Sequence, residues 1–504
     1  MKTKTVIIFG AGATASRGFP ATGTQNDLLK AFFFCNNVPQ FLQNEKVKKA
    51  KISKQLASEL FSLKQATSKN YRMDFPGLCK YVNTFFSKDS FTVMNLFNLL
   101  DLQRQSRFTF GGGNAVGNPY PPFYPEQLEH IRRALVALIA SLIGDAMKHA
   151  QQGGSLAQYK GFFKELAAKV RQEKRDQLQN GCSSIASDFV MSDLTYISLN
   201  WDPVVLWAMF IAHKELNDCN CMYWPHENGN AKLKIFNDFA IPLAAEPIDK
   251  KPSGARRWYP YSEAVAQRVN DPEHLHDRVV TLIRTLFPHG QTNWLLCPKC
   301  GKVSMFLGDQ WDLNSTTLPM ELPLAEKRSC GEEIIDNTGR ENYQCVHCGF
   351  SLSLADAAML MQTVNKEKPS FIEEIQTDMR LRIAEAERII FVGYSLPDDD
   401  FEYRSIFAGL NSKEAGCNKD DEPGSDVCKK ENEGSVKKKK VYVVLYESGM
   451  PNKWITTDDA EKMLKEQGHK EEVERFSSLF NDFADLKFNF AGFPNADQNI
   501  LDLM

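Results

Sequence analysis

Val6–Pro20, which reads VIIFGAGATASRGFP, decides the fold expected for this chain. Its first four residues are apolar and mostly β-branched, which predicts a strand buried on both faces. Gly10, Ala11 and Gly12 follow at once, and Ala15 takes the third place of the Gly-x-Gly-x-x-Gly/Ala dinucleotide pattern. A helix beginning here would direct free N–H groups at a pyrophosphate. The alternative is a plain tight turn between a strand and a helix.

The composition is that of a globular protein with several cores. A chain of 504 residues is long enough for about three domains. The apolar fraction is 43%, the charged fraction is 24% and the net charge is −3, so binding of nucleic acid through bulk positive charge is not expected. The apolar helix candidate Ala134–Gly144 is too short to span a bilayer, and Met1–Lys4 shows no signal-peptide pattern. We therefore expect a cytoplasmic protein without a membrane partner.

Short apolar strands separated by helices predict a parallel α/β sheet. Further strands are predicted at Leu194–Leu199, Lys232–Phe236, Phe239–Pro242, Arg388–Val392 and Val441–Tyr446. Between residues 31 and 185 the apolar residues recur three and four apart, which predicts a block of amphipathic helices. Segment 411–440 is charged and contains Gly and Ser, which predicts a solvated loop. A helical tail is expected after Asp458.

Polar residues stand where several predicted strands end. They are Gly10–Gly12, Asn200–Asp202, Gly393–Ser395 and Glu447. In a doubly wound parallel sheet these ends line one crevice, which is where ligands bind. The sequence therefore predicts one ligand site built from segments far apart in the chain.

Four of the twelve cysteines form two C-x-x-C-G motifs. The four are Cys297, Cys300, Cys345 and Cys348. Two such motifs supply the four sulfurs of a tetrahedral structural zinc site, and such a closed site leaves no position for catalysis. A redox role is the alternative, and Cys330 lies between the two pairs as a spare thiol. Cys417 and Cys428 are expected to be free thiols in the solvated loop.

The order of these motifs resembles that of the sirtuin family. GAGATASRGFP resembles the family's glycine-rich segment, SLNWD its Asn-x-Asp segment, and GYSLP its Gly-Thr-Ser loop. His289-Gly290 resembles the catalytic histidine motif, followed by the cysteine pairs in the family's order. The resemblance covers about half of the chain, leaving the helical block and the loop outside it.

The resemblance implies a site for NAD. Gly10, Ala11, Gly12 and Ala13 would hold its pyrophosphate, Asp202 its carboxamide, and Gly393 with Ser395 its adenosine side. Asn200 and His289 would act at the nicotinamide ribose. Asn200 would position a water molecule, and His289 would accept a proton from that water or from a ribose hydroxyl. The alternatives are a turn role for Asn200 and a structural role for His289.

The resemblance also implies a domain organisation. The expected fold is α/β, with a Rossmann-like parallel sheet, a large all-helical insertion and a small zinc-ribbon module. The NAD-binding domain would comprise 1–30, 186–295 with an inserted segment at 213–275, and 353–504. The helical insertion would be 31–185, and the zinc-ribbon module 296–352.

Departures from the family favour one branch of it. Ala21-Thr22-Gly23 replaces the deacetylases' Asp-Phe-Arg, and Phe350–Ser353 lacks their Phe-Gly-Glu segment. The pattern resembles the NAD-hydrolysing effectors of bacterial anti-phage defence, which implies cleavage of NAD to nicotinamide and ADP-ribose. Such an enzyme is expected to form a homo-oligomer or to respond to a trigger partner through the helical block. The alternatives are a protein deacylase, an ADP-ribosyltransferase, and a non-catalytic protein that senses NAD or ADP-ribose.

Overall fold

The computed structural model of the protein describes residues 3–15, 22–65, 73–106, 123–152, 157–179, 187–218, 223–226, 229–247, 262–270, 278–307, 343–360, 368–397, 400–414, 438–464 and 469–504. Cys330, Cys417 and Cys428 lie outside these residues, as does most of the predicted loop 411–440. Of that loop's two ends, Asn411 belongs to a helix and Lys440 to a strand.

The strands are short, and the central ones are buried along most of their length. They are β1 (Thr5–Phe9), β2 (Met191–Ser198), β3 (Tyr223–His226), β4 (Gly229–Asp238), β5 (Ala244–Pro247), β6 (Arg278–Leu286), β7 (Gly290–Leu296), β8 (Val303–Leu307), β9 (Tyr343–Gln344), β10 (Ser351–Leu352), β11 (Ala357–Met359), β12 (Arg388–Val392), β13 (Lys439–Val444), β14 (Ile455–Thr456) and β15 (Ala484–Asn489).

The helices range from single turns to eight turns. They are α1 (Gly12–Ala15), α2 (Thr22–Phe34), α3 (Val38–Gln43), α4 (Glu45–Lys49), α5 (Lys54–Gln65), α6 (Phe75–Phe85), α7 (Val93–Ser106), α8 (Pro125–Gln152), α9 (Ala157–Gln179), α10 (Ser187–Val190), α11 (Val204–Asp218), α12 (Glu263–Val269), α13 (Ser370–Glu385), α14 (Phe401–Glu414), α15 (Thr457–Met463), α16 (Lys470–Phe480) and α17 (Asp497–Leu501). Within the described ranges, no helix has both the length and the apolar character that crossing a membrane requires.

The main sheet has nine described strands in the order β14-β15-β13-β12-β1-β2-β6-β4-β3. The strands from β15 to β4 in this order run parallel to one another, whereas β14 and β3 at the two edges are antiparallel to their neighbours. All five residues of β1 are buried at the centre of the sheet, as its apolar sequence requires. The predicted α/β class with a mostly parallel sheet is therefore confirmed.

Helices follow β1 in the chain before the sheet resumes at β2. Every element with described bounds between residues 31 and 185 is a helix, and the longest, α8, is buried along most of its length. Arg133 of α8 donates to Asp356 in the turn before β11 over 2.7 Å, with both side chains largely buried. This ion pair joins the helices to the strands described next.

A second sheet, in the order β11-β7-β8-β5, carries the residues between His289 and the first cysteine pair. Its strand β7 is antiparallel to both β8 and β11. Since β7 starts at Gly290 and ends at Leu296, it connects His289 directly to Cys297. One short strand therefore separates His289 from the cysteine group.

Two predicted elements differ from the structure. Phe239–Pro242 is not a strand, because Ala240 has a φ of 61° and its N–H donates to the Asp238 side chain, which turns the chain. The tail after Asp458 is not wholly helical, because β15 adds a parallel strand beside β13. In β15, buried residues alternate with exposed Asp485 and partly exposed Lys487, a half-buried strand pattern that its charges obscure.

Candidate functional site

Three neighbouring strands bring the predicted site segments to one edge of the sheet. Phe9, at the end of β1, is in register with Ser198 of β2 on one side and with Val392 of β12 on the other. The segments that follow, starting at Gly10, Leu199 and Gly393, therefore leave the sheet side by side. Parallel strands give this result wherever their lengths match.

The glycine turn after β1 packs tightly against the turn after β12. Gly12 N–H donates to Gly393 O over 2.8 Å, and Gly393 has a φ of +63°. A Cβ on Gly393 would lie 1.9 Å from the backbone nitrogen of Ala13, so no other residue fits. Ala13 N–H donates to Gly10 O over 2.9 Å. The expectation of free N–H groups is therefore wrong for Gly12 and Ala13, although Gly12 itself is exposed.

Asp202 is held beneath this turn by two hydrogen bonds. Thr14 Oγ1 donates to Asp202 Oδ2 over 3.2 Å, and Val204 N–H donates to Oδ1 over 3.2 Å. Burial raises the pKa of the Asp202 carboxyl to about 6, although both bonds act in the opposite direction. The site thus contains a buried acid whose charge costs free energy at neutral pH.

Asn200 and His289 are brought together at the end of β2. His289 Nδ1 lies 3.0 Å from the carbonyl oxygen of Leu199, the residue before Asn200. Because a carbonyl oxygen only accepts, Nδ1 carries the proton, and Nε2 of the neutral ring offers a lone pair. Asn200 is 4% exposed, and neither atom of its amide has a hydrogen-bond partner among the described residues. Buried amides rarely lack hydrogen-bond partners, so this one is a candidate for binding a ligand.

The backbone fixes this pair from several sides. Thr292 N–H donates to Trp201 O over 3.0 Å, and Leu360 N–H donates to His289 O over 2.8 Å. Trp201 Nε1 donates to Leu360 O over 3.2 Å. Leu360 therefore contacts both His289 and Trp201. The ring of Tyr403 packs edge-on against the His289 ring, with 5.1 Å between the centroids. The imidazole is therefore held in one orientation.

The remaining sequence-predicted residues take different places. Ser395 is half-buried in the turn after β12, two residues beyond Gly393. Glu447 lies beyond β13, the next strand of the sheet, and its N–H donates to Phe490 O. Tyr403 and Leu360 were missed by the sequence analysis, because their contacts with the site arise from the tertiary structure alone.

The four predicted cysteines form a separate candidate metal centre. All four sulfurs lie within 4.8 Å of one another, with Cys297 and Cys348 3.6 Å apart and Cys300 and Cys345 also 3.6 Å apart. Four thiolates at 2.3 Å from a tetrahedral zinc ion would be about 3.8 Å apart. The group therefore has the donor atoms and the size of a structural zinc site, and such an ion would tie β7 and β8 to the chain after β9.

We expect the purified protein to contain about one zinc ion per chain. Cys345→Ser should remove that zinc and lower the melting temperature, because a small module with two short hairpins relies on its metal for order. Metal analysis by mass spectrometry and thermal unfolding measure both effects. Cys79→Ser is the matched control, since Cys79 is a buried cysteine of the helical region outside the metal group. Retention of zinc by Cys345→Ser would contradict the assignment.

The buried carboxyl of Asp202 leads to a prediction about stability. Its folded pKa of about 6 lies above the ordinary value of 3.8, so its contribution to the free energy of unfolding is full below pH 4 and is lost by about pH 6. Asp202→Asn should therefore be more stable than the wild type at pH 8, by at most about 3 kcal/mol. The Thr14 hydroxyl can turn to Ala11 O, 3.3 Å away, and accept from the new amide.

Thermal unfolding of both proteins at pH 4 and pH 8 checks this result. The advantage of Asp202→Asn should shrink at pH 4, where the wild-type carboxyl is neutral as well. A variant that is less stable than the wild type at pH 8 would show that the carboxylate stabilises the fold.

Comparison with known proteins does not assign the chain. No family model matches it, and no curated protein is similar to it at a significant level. The function must therefore be argued from the site.

Proposed function

We propose that the protein is a sirtuin-like NAD glycohydrolase, which cleaves NAD to nicotinamide and ADP-ribose. The observation that carries this proposal is the contact of the His289 ring with the backbone oxygen of Leu199, the residue before Asn200, at the end of β2. Asn200 itself is buried, and its side-chain amide has no hydrogen-bond partner among the described residues. His289 and Asn200 were expected at the nicotinamide ribose.

The proposed architecture follows the same resemblance. The parallel sheet is a Rossmann-like NAD-binding domain, the helices of 31–185 are an insertion, and the cysteine group is a zinc ribbon. Cys297, Cys300, Cys345 and Cys348 would hold the zinc, which supplies structure and no chemistry. The exposed Gly12 supports a close approach of the pyrophosphate to the backbone.

The chemistry requires few groups. The bond between C1′ of the ribose and the nicotinamide nitrogen breaks, and the electron pair leaves with neutral nicotinamide. The cationic sugar is attacked by water, whose oxygen forms the new bond to C1′. Asn200 orients that water, and His289 Nε2 accepts its proton, so that the balance is NAD and water to nicotinamide, ADP-ribose and a proton. Burial of both side chains restricts bulk water and fixes their geometry.

An enzyme that consumes NAD must be restrained until it is needed, as in the anti-phage effectors. The Arg133–Asp356 ion pair connects α8 directly to the turn before β11. Since β11 pairs with β7 next to His289, a shift of α8 would reach the site. The helices are therefore the proposed control surface, and a homo-oligomer or a trigger partner would act on them.

Incubation of the purified protein with NAD tests this function. Nicotinamide and ADP-ribose should appear in equal amounts, and Asn200→Ala should release neither. Because a restrained enzyme can be inactive in vitro, NAD is also measured in phage-infected bacteria that express the wild type or Asn200→Ala. A fall in NAD with the wild type alone supports the proposal. Unchanged NAD under both conditions, or cleavage that needs an acetylated peptide, contradicts it.

A further inference from the structure

Gln291 is a fully buried amide with an unusual environment. It is 0% exposed, and among the described residues neither Oε1 nor Nε2 has a hydrogen-bond partner. In the described part of the chain, one other side-chain amide, that of Asn200, is buried with both polar atoms unpartnered. An apolar side chain of the same size would avoid the cost of burying an unpartnered amide. Its presence points to a ligand that supplies the missing partners.

The two amides belong to adjacent segments. Gln291 is two residues after His289, and its neighbour Thr292 donates to the carbonyl oxygen of Trp201, the neighbour of Asn200, over 3.0 Å. The His289 ring is bonded to Leu199 O in the same pair of segments. Residues 199–201 and 289–292 therefore lie side by side, which places both unpartnered amides on the two segments that form the candidate site.

The chemistry of the amide limits what it can recognise. A glutamine side chain offers one acceptor and a pair of donors, which match the N–H donor and carbonyl acceptor of a primary carboxamide. Asp202 when ionised offers acceptors only, so beside its bonds with Thr14 and Val204 it can still accept from the N–H of a carboxamide. The carbonyl oxygen of a carboxamide would need a donor that Asp202 does not have.

We propose that Gln291 recognises the carboxamide of nicotinamide by paired amide hydrogen bonds. This inference rests on the proposed cleavage of NAD, whose leaving group carries that carboxamide. Gln291 is then a specificity residue: it selects the amide of the substrate and orients the ring for departure, while Asn200 and His289 act at the sugar.

Calorimetric titration of the full chain with two ligands tests the proposal. One ligand is carbocyclic NAD, which keeps nicotinamide but is not hydrolysed, and the other is ADP-ribose, which lacks nicotinamide. Gln291→Met should weaken binding of carbocyclic NAD by about 10- to 100-fold, as expected for the loss of two hydrogen bonds. Its affinity for ADP-ribose should stay within about twofold, and its melting temperature should be equal or higher.

Gln103→Met is the matched control, because Gln103 is a buried glutamine of α7, outside the candidate site. It should bind both ligands as the wild type does. If Gln291→Met does not fold, Gln291→Leu also removes both hydrogen-bonding atoms without introducing a charge and should show the same selective loss.

Two results would overturn the role of Gln291: unchanged affinity for carbocyclic NAD, or an equal loss for both ligands, as a purely structural residue would give. A wild-type chain that binds neither ligand would instead refute the proposed function itself.

Discussion

Replacing His289 with alanine is expected to slow NAD cleavage by about 100- to 10,000-fold, the usual contribution of a positioned acid–base group. Nδ1 is committed to Leu199 O, so Nε2 is the ring atom that accepts the proton. The affinity for NAD should change by less than about tenfold, since the imidazole acts in the chemical step. Single-turnover release of nicotinamide and equilibrium binding of carbocyclic NAD measure the two quantities separately.

The chain offers a closely matched control in His213. It is also buried, and its Nδ1 lies 2.9 Å from Asn237 Oδ1, so it has the same tautomer when neutral. Burial lowers its pKa to about 4, which keeps the ring uncharged at neutral pH. His213→Gln should cleave NAD at a rate within a few-fold of the wild type. Equal losses in both variants would mean that His289 serves the fold rather than the reaction.

Replacing Gly290 with alanine is expected to destabilise the protein by about 4 kcal/mol or more, at the upper end of single substitutions. Gly290 has a φ of +67°, and a Cβ there would lie 1.7 Å from the backbone oxygen of Ala358. Relief of this clash requires β7 and β11 to separate directly beside His289. Denaturant unfolding should show the loss in stability, and NAD cleavage should disappear with it.

Gly449→Ala is the control that separates the steric clash of the new Cβ from the strain of a positive φ. The φ of Gly449 is +81°, but a Cβ there would meet nothing within 4 Å. Gly449→Ala should therefore cost only about 1 kcal/mol, the strain of alanine in a left-handed conformation. If Gly290→Ala is no more destabilising than Gly449→Ala, β7 and β11 are less tightly paired than the structure indicates.

The sheet was largely predictable because its central strands are unambiguous. Runs such as Val6–Phe9 and Ile389–Val392 are apolar on both faces, and a strand buried on both faces requires that pattern. The peripheral strands lacked this signal. In β15 the pattern is broken by Asp485 and Lys487 at the edge of the sheet, and β11 has three residues whose pairing with β7 depends on Gly290.

The motif residues of the candidate site could be predicted from the sequence, but the tertiary contacts that hold them in place could not. Asn200, Asp202 and the cysteine pairs stand in motifs of recognisable spacing, so the sequence alone singled them out. Gln291 had one signal, a polar Gln-Thr-Asn run inside what became a buried strand, and its meaning depends on knowing that the strand is buried. The hydrogen bonds of the turn after β1 could not be predicted from the sequence, because Gly12 donates to Gly393, which is far away along the chain.

A crystal structure of the protein with carbocyclic NAD tests the central claim most directly. The account predicts the C1′ carbon of the nicotinamide ribose in contact with the amide of Asn200, with Nε2 of His289 within reach of a water on the same face of the sugar. The nicotinamide carboxamide should pair with Gln291. An analogue bound elsewhere on the protein, or bound with its ribose away from Asn200 and His289, would contradict the account.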